Sequence, residues 1–143
     1  MPMNDYLVLS RGQWDEDASP PAVQAAIDAF YVWYEQGLAD GWLKPGSRLA
    51  HRSCVVARGL VTDGPFTETK ELVGGYWFIV AESLAQAAAI AAENPCLQFG
   101  LSVEIRPLEA SRADVAVPTN ETPSSWRQDM PIRRHSPDAS CDP

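Results

Sequence analysis

"VTDGPFTETKELVGGYWFIV", residues 61–80, holds a turn signal, four charged side chains, a glycine pair and an aromatic run. Its second half decides the fold. In "LVGGYWFIVA", residues 72–81, Tyr76, Phe78 and Val80 alternate with Trp77 and Ile79, so a strand there is apolar on both faces. The first half reads as the turn of a long hairpin. Asp63-Gly64 is turn chemistry, with Asp63 able to accept hydrogen bonds from its own following backbone, and Pro65 removes an N–H from any ladder. Phe66 would anchor the loop by burial, and Gly74-Gly75 at the strand entrance signals a bulge or a close approach of another backbone.

Outward from this strand, other elements follow in both directions. "DYLVLS", residues 5–10, is a short β-prone run, and "RSCVVAR", residues 52–58, is a second, ended by Gly59. Between them Val23, Ile27, Phe30, Tyr34 and Leu38 step by four, three, four and four, which predicts an amphipathic helix over 21–38, stopped by Gly37 and Gly41. Ser83 and Gln86 form a capping box ahead of the alanine-rich helix "LAQAAAIAAEN", which Asn94-Pro95 ends. "LSVEIRPLE", residues 101–109, is the last strand. The order β-α-β-β-α-β predicts an α+β, ferredoxin-like fold, with a four-stranded antiparallel sheet and two helices on one face. Helices for one face and apolar residues on both predict a homodimer through the bare face.

Residues 1–109 therefore form one domain. From residue 110 to 143 the chain holds five prolines and one aromatic, Trp126, which predicts a tail that is disordered or draped on the partner subunit. The net charge of −8 argues against nucleic acid as a partner. No apolar run approaches the roughly 20 residues of a membrane helix, and "MPMNDYLVLSRGQW" has no basic start followed by a long apolar stretch, so the expected location is cytoplasmic. Cys54, Cys96 and Cys141 lack metal-binding spacing, and His51 and His135 are far apart, so neither a metal nor another cofactor is expected. Cys54, in an apolar stretch, reads as a core residue.

Asp63-Gly64-Pro65-Phe66, followed by Thr67, Glu68, Lys70-Glu71 and Gly74-Gly75-Tyr76, resembles the signature of the DGPF branch of the YCII-related proteins. "GLADGWLKPGSRL" and "VEIRPLE" agree in order, and the resemblance spans about residues 5–109. It implies a dimeric ferredoxin-like α+β barrel, similar in architecture to muconolactone isomerases. It also implies a genomic link to extracytoplasmic-function sigma factors. YCII-type members with a proposed active site use a buried histidine paired with an aspartate. Here the first helix, "AVQAAIDAFYVWYEQGL", has no histidine, so that dyad does not carry over.

Two functions of different class remain. One is a dimeric module with a small polar cleft beside the DGPF hairpin that binds a small, anionic molecule. The other is a lyase, isomerase or hydrolase without a cofactor, drawing acid–base groups from Asp63, Lys70, Glu71 and Tyr76. Gly74 and Gly75 would leave room for a ligand beside Tyr76. Glu104 and Arg106 share a strand face, and burying them requires partners. Arg106 is either a structural partner of Asp63 or Glu71, with Glu71 preferred, or a group that grips a carboxylate bidentately.

Overall fold

The computed structural model describes residues 2–64 and 72–127. Its main sheet consists of β1 (Asn4–Arg11), β2 (Leu43–Arg48), β5 (Val73–Ala81) and β6 (Ser102–Pro107), in the order β2-β5-β1-β6 with every pair antiparallel. Helix α1 (Pro20–Asp40) links β1 to β2, and α2 (Leu84–Ala91) lies between β5 and β6. With the first strand central, beside the third and fourth, this is the expected ferredoxin-like α+β arrangement.

The second strand of that sheet is not the one the sequence suggests. It is "LKPGSR", residues 43–48, whereas residues 52–58 enter a separate hairpin of β3 (Ser53–Ala57) with β4 (Leu60–Gly64). Proline and glycine make 43–48 a poor strand by propensity. The position tolerates both because β2 is an edge strand and the ladder skips them: Lys44 pairs with Phe78, Ser47 with Tyr76, and the register shifts between. The β3–β4 hairpin turns at Arg58-Gly59, where Gly59 adopts φ +65. Asp63-Gly64 therefore lies in a strand, opposite Cys54 and Ser53, and not in the turn. Val56, Leu60 and Val61 on this hairpin are exposed, and so is Cys54, contrary to its reading as core. The buried cysteine is Cys96.

Helix α1 starts at Ser19, whose hydroxyl accepts from the Ala22 N–H at 3.3 Å, with Pro20 and Pro21 in the first turn. It runs through Gly37 and ends at Gly41. Ser83 caps α2 as expected, accepting from the Gln86 N–H at 3.1 Å, while the Gln86 side chain accepts from the N–H of Glu82, one residue before the cap, at 2.6 Å. Tyr6, Val8, Leu43, Trp77, Ile79 and Ala81 face the helices and are buried. Ala87 and Ala91 bring α2 close to them, and Phe30, Trp33, Tyr34 and Leu38 of α1 close the core.

The register places Leu7, Leu9, Tyr76, Phe78 and Val80 on the opposite sheet face. Among the described residues no helix covers that face, and these side chains are only half-buried. Two charged clusters border it, Lys44 with Asp5 at 2.9 Å and Glu104 with Arg11 and Arg106. Beyond the domain, residues 110–127 form turns and a short helix α3 (Ser124–Arg127), with Val115 and Trp126 exposed. No helix among the described residues is long and apolar enough to cross a membrane.

Candidate functional site

A cavity of about 920 Å³ opens on the helix side of the sheet, where β1 ends and β5 begins. The bulge in β2 shapes it. A Cβ on Gly46 would overlap the Tyr76 carbonyl, so glycine is required there, and the Gly46 N–H donates to the Tyr34 hydroxyl at 3.2 Å. Past the bulge, Arg48 pairs with Gly75, which puts both on the helix-side face. A Cβ on Gly75 would sit 3.0 Å from the Ser47 carbonyl oxygen, so this glycine serves both strand approach and cavity space. Gly74 has open space around it.

Aromatic rings of α1 form the opposite wall. Phe30 stacks on Tyr34 at 5.6 Å and meets Trp77 edge-on at 5.3 Å, and Tyr31 and Trp14 extend the wall toward solvent. Trp77 is 7 % exposed, and its indole N–H has no hydrogen-bond partner among the described residues. Cys96 also borders the cavity; burial pushes its thiol up, and it donates to the Ala26 carbonyl at 3.7 Å. The cleft is thus more aromatic than polar. Its titratable side chains among the described residues are Tyr31, Tyr34, Arg48, Tyr76 and Cys96.

Of the residues singled out from the sequence, Gly74, Gly75 and Tyr76 border this cavity. Tyr76 does so from a strand position whose ring packs against Phe78, at 6.2 Å, on the uncovered face. Asp63 stands on the β3–β4 hairpin and does not line the cavity. Lys70 and Glu71 lie outside the described residues. Arg48, Trp77 and Tyr34 were not anticipated. Arg48 hides in a segment that reads as a loop, and the two aromatics carry the ordinary signature of core residues.

Glu104 and Arg106 sit on the uncovered face. Among the described residues the carboxylate that meets Arg106 is Glu104, at 3.0 Å, and not Asp63. Two positions apart on one strand face, the pair needs no help from the hairpin, and Arg11 on the neighbouring strand holds the other carboxylate oxygen at 2.8 Å. Burial works to raise the Glu104 carboxyl, but hydrogen bonds and charge from Arg106 and Arg11 outweigh it and hold the group below the usual carboxylate range. A depressed folded pKa means a stabilising contribution that is complete above the unfolded value and lost as pH falls through the folded one. Because these side chains are 28–45% exposed, Glu104→Gln should cost less than about 1 kcal/mol at pH 7. Urea midpoints of the two proteins should differ at pH 7 and converge as pH falls below the usual carboxylate range; a difference that grows in acid contradicts the assignment.

Residues 6–109 match the model of the YCII-related domain. No curated protein matches the chain. Among solved structures it is similar to the 5-chloro-2-hydroxyhydroquinone dehydrochlorinase of Burkholderia phenoliruptrix AC1100, in complex with 2,5-dihydroxybenzoquinone. The two are 14% identical, with a TM-score of 0.40, over 75% of this chain and 95% of the other.

Proposed function

The chain belongs to the YCII-related family, and we propose that it is a homodimeric small-molecule-binding protein whose ligand occupies the cavity between α1 and the Gly75 end of the sheet. The observation that carries this reading is the cavity itself. At about 920 Å³ it falls within the range of small-molecule sites, and its wall combines apolar rings with a few convergent donors. Assignment to the DGPF branch rests on the Asp63-Gly64-Pro65-Phe66 motif and the glycine pair that follows it. The dimer rests on the uncovered row of Leu7, Leu9, Tyr76, Phe78 and Val80, a contiguous apolar strip of the kind that marks an interaction surface.

Filling the cavity tests the reading. Ile27 lines it from α1, and Ile27→Trp adds bulk where space exists. A thermal-shift screen of ring compounds should stabilise the unmodified protein. At a hundredfold excess over Kd the gain is about 2.7 kcal/mol, or roughly 10 °C for a domain of this size. The variant should fold, keep its oligomeric state and lose the shift. Compounds that stabilise both proteins equally bind elsewhere and overturn the proposal.

A further inference from the structure

We infer that the ligand of this cavity is a flat, uncharged ring compound that presents a carbonyl oxygen to the side-chain amide of Asn94. The inference rests on the binding reading above and adds the ligand's chemistry.

Asn94 carries the argument. It is 5% exposed, and most of its polar groups are occupied. Its backbone N–H donates to the Ala91 carbonyl at 3.1 Å, and its own carbonyl accepts from the Leu97 N–H at 3.2 Å. Its side-chain Oδ1 accepts from the Cys96 N–H at 2.9 Å. That bond fixes which way the amide faces, because turning it over would set Nδ2 against a second donor. Nδ2, with two hydrogens to give, is left over, and no acceptor meets it among the described residues. It is not sealed away. Among the described residues Trp77 Nε1 alone is a buried side-chain donor both unpartnered and closed to solvent, so the Asn94 amide keeps contact with open space, and that space is the cavity it lines.

Water serves such a donor while the cavity is open. A ligand that displaces the water must bring an acceptor or leave the donor unpaired at a cost. The surroundings of Asn94 select the acceptor. Besides it, the buried side chains lining the cavity among the described residues are Trp77 and Cys96. An indole nitrogen can only donate, and the Cys96 thiol gives its hydrogen to the Ala26 carbonyl. A ligand hydroxyl would bring a hydrogen with no strong acceptor to receive it, whereas a carbonyl brings none. No charged side chain is among these buried residues, and Arg48 is exposed. A charge carried to Asn94 would lose its water without a counter-charge, so the group that reaches it is neutral. The stacked rings of Phe30 and Tyr34, with Tyr31 and Trp14 beyond them, offer flat apolar walls that match a ring.

Acetophenone is the probe, with ethylbenzene as its analogue of similar shape without the carbonyl. In the full-length protein labelled with ¹⁵N, the Asn94 side-chain amide pair is identified by its loss in Asn94→Asp. Saturating acetophenone should move one of its two proton resonances downfield, as a new hydrogen bond requires, and saturating ethylbenzene should not. Aspartate and serine both cap as asparagine does, so Asn94→Asp and Asn94→Ser should keep the urea midpoint close to that of the unmodified protein. In whichever of them folds, acetophenone should bind at least about fivefold more weakly while ethylbenzene affinity holds, the size expected of one lost hydrogen bond. An Asn94 amide pair that stays put at acetophenone saturation, equal losses for the two compounds, or no acetophenone binding at millimolar concentration overturns the inference. Ethylbenzene binding that Ile27→Trp abolishes, with no effect of Asn94 on acetophenone, overturns it too but leaves the binding role standing.

Discussion

Gly46→Ala should destabilise the protein by about 3 kcal/mol, at the upper end of what overpacking costs. The new Cβ would overlap the Tyr76 carbonyl oxygen and come within 2.6 Å of its carbonyl carbon. A flexible side chain could swing aside, but this neighbour is the backbone of the most buried strand. Relief must come from β2, the edge strand, which pairs in the sheet with β5 alone. Moving it breaks the hydrogen bond from Gly46 N–H to Tyr34 and shifts Arg48 with the rest of the strand end. With a slope of about 2 kcal/mol per molar urea, the midpoint should fall by about 1.5 M. Gly74→Ala is the matched control, since a Cβ there has nothing within 4 Å, and its midpoint should stay close to that of the unmodified protein. Equal midpoints for Gly46→Ala and Gly74→Ala would show that β2 relaxes freely and does not shape the cavity.

Phe78→Glu should convert the proposed dimer to a monomer. Phe78 lies at the middle of the uncovered strip, paired with Leu7 on one side and Lys44 on the other. A second copy of that face would surround it with Leu7, Leu9, Tyr76 and Val80, and the neighbouring cation, Lys44, is already paired with Asp5. Leaving a charge there costs several kcal/mol, which weakens association by on the order of a thousandfold or more. Light scattering at micromolar concentration should give twice the 15.6 kDa chain mass for the unmodified protein and the single-chain mass for Phe78→Glu. Far-ultraviolet circular dichroism should be unchanged, because the substituted face is not the one that packs on α1 and α2. A monomer before substitution, or a dimer that survives it, rules out this face as the interface.

Much of the fold was legible along the chain. The alternation in residues 72–81, the four-and-three stepping of apolar residues from Val23 to Leu38 and the Ser83–Gln86 cap each report on an element's own geometry, and the described structure follows them. The site was much less so. Tyr34 and Trp77 look like core aromatics because they are core aromatics. What distinguishes them is one hydroxyl that already accepts a hydrogen bond and one N–H that meets no acceptor among the described residues, and neither leaves a mark in composition or spacing.

The sequence by itself determined the α+β class, the two main helices and a strand apolar on both faces, because side-chain periodicity is a local consequence of backbone geometry. Only the tertiary structure decided which second segment pairs with β5. "RSCVVAR" has the better strand residues, yet "LKPGSR" takes the edge of the sheet, since α1 delivers it there directly and an edge ladder can step around Pro45 and Gly46. The same choice brings Arg48 to the cavity. Among the described residues the carboxylate that meets Arg106 is Glu104, two residues away, because an ion pair forms with whichever carboxylate the register brings within reach.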